Sequence, residues 1–175
     1  MDKTVIFAVA GSGKTTHIVD SLSSDKRTLI VTYTVNNYNN LLVKIMEKFN
    51  GSWPDNIFIM RYFQFLYSFC YKPFLADRVK AKGITFETNP QQRLSQSKAA
   101  YYMTSNRYLY SNRLALLVGK MGVLNDINDR IKTYFDEFII DEVQDIAGRD
   151  FTLLESLMET HVNMLFVGDF FSTYI

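Results

Sequence analysis

The stretch AVAGSGKTTH, Ala8–His17, constrains this chain more than any other part of it. A short apolar run, Thr4–Ala8, leads straight into small residues, and a helix-forming stretch, Lys14–Leu22, follows. Strand, tight turn and helix in that order suit the P-loop pattern, Gly, four residues, then Gly-Lys-Ser/Thr. Gly13-Lys14-Thr15 supplies its second half, and Ala8 stands in the first glycine's place. Small side chains let the backbone wrap closely, so successive N–H groups converge on an anion. The amino end of the helix adds its positive potential. The reading therefore assigns Ala10, Gly11, Ser12, Gly13, Lys14, Thr15 and Thr16 to the phosphates of a nucleotide. Lys14 would neutralise the β- and γ-phosphates, the Thr15 hydroxyl would bind Mg²⁺, and Thr16 would face the α-phosphate.

Compact apolar runs recur at Thr28–Thr34, Ile57–Arg61, Glu137–Asp141 and Asn163–Val167. Like Thr4–Ala8 they alternate poorly, as strands buried on both faces of a parallel sheet do. Helical stretches are expected over Asn39–Phe49, Phe63–Tyr71, Asn125–Tyr134 and Phe151–His161, the last with Leu154, Leu157, Met158 and His161 on one face. Alternating strand and helix predicts an α/β fold, a parallel sheet flanked by helices on both faces. A polar excursion over Ala76–Ser111 interrupts it, with QQRLSQSKAAYYM as a helical candidate. At 175 residues the chain is expected to be one domain, without internal repeats or linkers. The net charge of +1 gives no global basic excess, so any nucleic-acid contact must be a local patch. One cysteine excludes an internal disulfide framework and suits a reducing compartment. No membrane span is visible, and a cytoplasmic location is expected.

FIIDEVQD, Phe138–Asp145, supplies the other half of a nucleotide site. The apolar run ends in Asp141, placed to hold the Mg²⁺ shell, and Glu142 follows, placed to orient or deprotonate a water.

Together AVAGSGKTT and IIDEVQD resemble motifs I and II of superfamily 1 helicases of the UvrD/Rep type. TYTVNN, Thr32–Asn37, is similar to motif Ia, and VGDFFSTY, Val167–Tyr174, resembles motif III. RYFQFLY, Arg61–Tyr67, is a fainter likeness of the family's T-x-H-S-F segment. The resemblance implies a RecA-like P-loop domain that hydrolyses ATP with Mg²⁺ and moves on single-stranded DNA, with 3′ to 5′ polarity. It implies catalytic roles for Lys14, Glu142 and Gln144 and a coupling role for Asp169. For DNA contact it implies Thr32, Tyr33, Thr34, Asn36, Tyr62, Phe63 and Tyr174.

Departures from the family are equally visible. Ser172 stands where motif III has glutamine, and Arg61 and Phe63 replace Thr and His of the T-x-H-S-F segment. A glutamine-bearing adenine segment upstream of the loop is missing, and no second RecA-like domain follows to supply arginines, leaving only Arg149 near motif II. The reading accordingly expects the amino-terminal motor domain of a longer protein, weakly active alone. A small P-loop kinase and a nucleotide-dependent binding module without motor activity are the rival readings. Among the aromatics, Phe65, Phe69 and Phe74 are expected in the core, with Tyr62 and Phe63 divided between core and base stacking. The Asn-rich turn is expected to cap a helix, and Lys72, Arg78, Lys80 and Lys82 to form a solvated basic face. His17, His161 and Cys70 are assigned to packing.

Overall fold

The computed structural model describes residues 2–9 and 11–170. Ala10, Ser172 and Tyr174 lie outside the described residues. Within them, five strands pair in parallel: β1 (Lys3–Ala8), β2 (Thr28–Thr32), β3 (Ile57–Arg61), β6 (Glu137–Asp141) and β7 (Asn163–Asp169). Their order across the sheet is β1-β7-β6-β2-β3. Register aligns the carboxyl ends: Ala8 pairs with Asp169, while Asp141 pairs with both Val167 and Thr32.

Strict alternation sorts the strands' side chains into two cores. Ile30, Ile139, Leu165 and Val167 face α1 (Lys14–Ser21) and α2 (Val35–Lys48), meeting Ile18, Val19, Leu41 and Ile45. On the other face Leu29, Val31, Phe138, Ile140, Met164 and Phe166 carry a larger cluster. That cluster takes in residues of α6 (Ser111–Lys120), α7 (Leu124–Tyr134) and α8 (Arg149–Leu157). It also takes in an aromatic helix after β3: α3 (Tyr62–Gln64), a π-helical segment Phe65–Tyr71, and α4 (Lys72–Val79). The wider π turn carries Phe65, Leu66, Phe69 and Cys70 into this core, and Phe65 stacks on Phe69 at 5.5 Å. Phe65, Phe69 and Cys70 are buried and Phe74 packs from the edge, as expected.

Several sequence expectations need correction. Among the described residues β1 and β3 are the edge strands, not strands buried on both faces, and Phe58 of β3 is 44% exposed. In β1 only Ile6 packs on the α1/α2 core, and Phe7 on the opposite face is 51% exposed. β2 stops at Thr32 because Thr34, extended at φ −96°, caps α2 by accepting the Asn37 N–H at 3.1 Å. The helix therefore starts at Val35, four residues before the expected Asn39. α8 begins at Arg149 and ends at Leu157, so His161 lies outside it and is exposed, as is His17. Neither histidine packs.

Between α4 and α6 runs the expected excursion, with its own two-stranded parallel sheet of β4 (Gly83–Thr85) and β5 (Tyr108–Tyr110). Helix in QQRLSQSKAAYYM is confined to α5 (Ala99–Tyr102), which buries Tyr101 and Tyr102. α6 was not expected at all. Its LALLV run is continuous rather than periodic, and such a run does not distinguish helix from strand. Lys72, Arg78, Lys80 and Lys82 are all exposed, as a solvated face requires.

Gly168 in β7 is forced by close approach. A Cβ there would lie 2.7 Å from Gln144 Oε1, 2.9 Å from Val143 Cγ1 and 3.1 Å from Phe7. Gly168→Ala should cost about 1–3 kcal/mol of stability through overpacking. Urea denaturation of the variant checks this, and an unchanged midpoint would contradict the close packing.

Candidate active site

Three strand ends and one helix start build the site. After β1 the chain turns through Gly11 at φ +79° and Gly13 at φ +89°, conformations that side-chain-bearing residues rarely adopt. A Cβ at either position would meet nothing within 4 Å, so the glycines serve backbone shape and leave the loop's surface open. The Ser12 N–H is taken by the Val9 carbonyl at 3.1 Å. Gly13 caps α1, whose first internal bond is His17 N–H to the Gly13 carbonyl at 2.8 Å. The amides of Lys14, Thr15 and Thr16 are thus the helix's unpaired leading donors. The Thr16 hydroxyl accepts from Lys44 Nζ at 2.9 Å, a neighbour the sequence reading did not foresee.

Lys14 folds back over the loop to the Val9 carbonyl at 3.3 Å and forms an ion pair with Asp169 at the end of β7. The backbone N–H of Asp169 in turn donates to Gln144 Oε1 at 2.9 Å, and Gln144 Nε2 donates to Glu142. Glu142 is also held by Asn37 Nδ2 at 3.0 Å. A single net of polar contacts therefore joins Lys14, Asp169, Gln144, Glu142 and Asn37. The backbone of Glu142 is left-handed, at φ 58° and ψ 48°, a conformation unusual for a residue with a side chain. Such strain persists where the surroundings over-determine it, which is common at reactive sites.

Asp141 is the buried member, only 2% exposed. Thr32 Oγ1 donates to it over a long 3.5 Å, and the Glu142 backbone N–H also favours its charged form. Burial and then the neighbouring Glu142 charge push its carboxyl up to about 6, against the weaker pull of Lys14. Asp145 is also raised, by burial first and then by Glu142 and Asp169. Acidic groups crowd one sheet end with a single lysine among them, an arrangement that attracts cations.

The oxygen donors that would suit magnesium are the buried carboxylate of Asp141, at the end of β6, and the half-buried hydroxyl of Thr15, in the first turn of α1. Among the described residues no group of three or more His, Cys, Asp or Glu gathers as a full metal cage. That suits an ion which keeps its waters and takes further oxygens from substrate phosphates.

The residues expected at a nucleic acid separate into two sets. Thr32 is fully buried and its hydroxyl serves Asp141, so it is a support for the carboxylate rather than a strand contact. Tyr62 is 3% exposed, and its phenol has no hydrogen-bond partner at bonding distance among the described residues. A void of about 10 Å³ borders both Tyr62 and Asp150. Tyr62 is thus core, not a stacking surface. Thr34 and Asn36 are exposed, although the Thr34 hydroxyl is committed to its cap. Tyr33 and Phe63 are half-buried and pack together at 5.7 Å. Phe86, which the sequence reading overlooked, extends this aromatic group: it is 69% exposed and meets Phe63 edge-on at 5.1 Å.

A cleft of about 460 Å³ lies at the other end of the sheet, where Arg27, Asn56 and Phe58 border it with Phe69, Arg130 and Phe135. Among the described residues no helix is long and apolar enough to cross a membrane. Compared with family models and with curated proteins, the sequence matches none.

A carboxyl whose folded pKa is raised binds its proton more tightly in the folded chain. Its contribution favours folding below the ordinary carboxylate value of 3.8 and is lost as pH rises through about 6. Asp141→Asn should therefore stabilise the ligand-free protein at pH 7.5, on the order of 1–3 kcal/mol, and flatten its loss of stability between about pH 4 and 6. Denaturation midpoints across that range measure both effects.

Proposed function

We propose that this chain binds and hydrolyses ATP as the amino-terminal, RecA-like P-loop motor domain of a superfamily 1 DNA helicase. One observation carries the reading: Lys14, delivered by the loop after β1, pairs with Asp169, whose amide Gln144 links to Glu142, and its charge reaches Asp141 at the same end of the sheet. A glycine-shaped loop with unpaired helix amides is the ready receptor for phosphate oxygens. On this reading the ammonium of Lys14 exchanges its Asp169 partner for the β- and γ-phosphates.

Thr15 and Asp141 would hold magnesium, whose charge offsets that of the phosphates. Glu142, fixed between Asn37 and Gln144, takes the proton of the attacking water as general base. Gln144 touches both Glu142 and the Asp169 amide, so it is placed to relay occupancy of the γ-phosphate position to β7. Single-stranded DNA would cross the carboxyl ends of β2 and β3 against Tyr33, Asn36 and Phe63, with Phe86 as an added stacking surface worth about 1–3 kcal/mol per base. A second RecA-like domain would supply the arginine that stabilises the transferring phosphoryl group, a contribution of roughly 10³–10⁵ in rate.

Lys14→Ala should abolish nucleotide binding in calorimetry. Glu142→Gln should retain binding but lower turnover by about 10²–10⁴. ATPase measured with and without single-stranded oligonucleotide decides the motor role. Stimulation supports it, whereas turnover indifferent to DNA favours a nucleotide-dependent binding module, and a phosphorylated small-molecule product favours a kinase.

A further inference from the structure

We propose that Arg113, Arg149 and the Tyr101 hydroxyl form a second oxyanion site, selective for phosphate groups and built on elements separate from the Lys14 loop. Arg113 is the third residue of α6 and Arg149 the first of α8, while Tyr101 belongs to α5. Both guanidiniums donate to the same phenol oxygen, Arg149 Nη1 at 2.8 Å and Arg113 through Nη1. The Arg113 guanidinium also lies over the Tyr101 ring, 4.1 Å from its centroid.

Three features of this group lack an internal explanation. Among the described residues, the ion pairs are Lys14–Asp169 and Arg27–Asp136, so neither Arg113 nor Arg149 has a carboxylate partner. Burial, and then the charge of Arg149, lower the Arg113 pKa, which is the mark of a cation pair without compensation. Arg113 Nε is buried with no hydrogen-bond partner, although a guanidinium carries five donors and a phenol oxygen accepts few.

Position adds to the imbalance. Both arginines sit in the first turn of their helices, where the dipole favours anions and disfavours cations; α6 has no acidic residue there, while α8 has Asp150. Local rules broken together at one spot mark a functional site more often than a packing accident. A tetrahedral oxyanion resolves every one of these conflicts. It separates the two charges, engages the planar forks bidentately, and gains from two helix ends at once.

Phosphate suits the pair better than a carboxylate, because it offers a third oxygen and, as a monoester, a second charge. Arg149 further borders a mostly apolar cleft of about 280 Å³, lined by Leu116, Leu124 and Leu153 with Lys120 and Thr152, which leaves room for whatever the phosphate is attached to. The phosphate is either free or part of a nucleic-acid chain, and the two are separable by experiment.

The inference does not depend on nucleotide binding at the loop, so its test uses Lys14→Ala protein, in which the loop is silenced. Calorimetry with inorganic phosphate should show binding that Lys14→Ala retains. Arg149→Gln and Arg113→Gln should each weaken it about tenfold, and Tyr101→Phe a few-fold. Without phosphate, Arg149→Gln should not lower the melting temperature, since it removes one of two repelling charges. A phosphate affinity unchanged by the arginine variants, or lost entirely with Lys14→Ala, would overturn the proposal. So would a melting temperature lowered by Arg149→Gln with phosphate affinity intact, the signature of a mere cross-brace. In the second arm, a fluorescent oligothymidine that phosphate displaces and Arg149→Gln weakens identifies the nucleic-acid backbone as the source. Oligothymidine binding untouched by that variant identifies free phosphate.

Discussion

Burial of the Asp141 carboxylate at the end of β6 is the constraint around which the rest of the site is arranged. A charge so nearly excluded from water must be compensated or neutralised. This one has the Glu142 amide, a long bond from Thr32 and the distant field of Lys14, with the Glu142 charge beside it. The strand register puts Thr32 opposite it on one side and Val167 on the other, leaving the open end of the sheet as the direction from which compensation arrives. Leaving that charge undercompensated lowers the stability of the folded chain at neutral pH.

Around that carboxylate the neighbouring parts hold each other in place. Gln144 spans Glu142 and the Asp169 amide, and Gly168 has no side chain because Gln144 and Val143 occupy its space. The left-handed turn at Glu142 sets the direction of its side chain, which Asn37 then fixes from α2. Lys14 and Asp169 neutralise each other across the β1–β7 pair. Under the proposed function, a polyanionic ligand at the loop would displace that ion pair and so tie the end of β7 to occupancy of the loop.

The second cationic group follows the opposite logic. At Asp141 negative charge lacks a partner, and at Arg113 and Arg149 positive charge does. Both are local conflicts that a ligand of the other sign relieves, and both lie where helices begin or strands end.

Much of the architecture was legible because its signals are local. The loop's glycines, the caps and the short apolar runs act over a few residues, so β3 and β6 were read to their observed ends and the Lys14 turn to its helix. α6 escaped because a continuous apolar run carries no period, and β1 was misjudged because edge and centre strands differ in their neighbours, not in their own residues. Thr32 and Tyr62 were misassigned for the same reason: exposure depends on what packs above. The sequence by itself determined the strand–loop–helix at Lys14 and the acidic strand end at Asp141 and Glu142, since backbone conformation there follows from adjacent side chains. Only the tertiary structure decided that Asp169 meets Lys14, that Asn37 steadies Glu142, and that Arg113 and Arg149 share one phenol, because these partners are far apart in the chain and are joined by sheet order and helix packing alone.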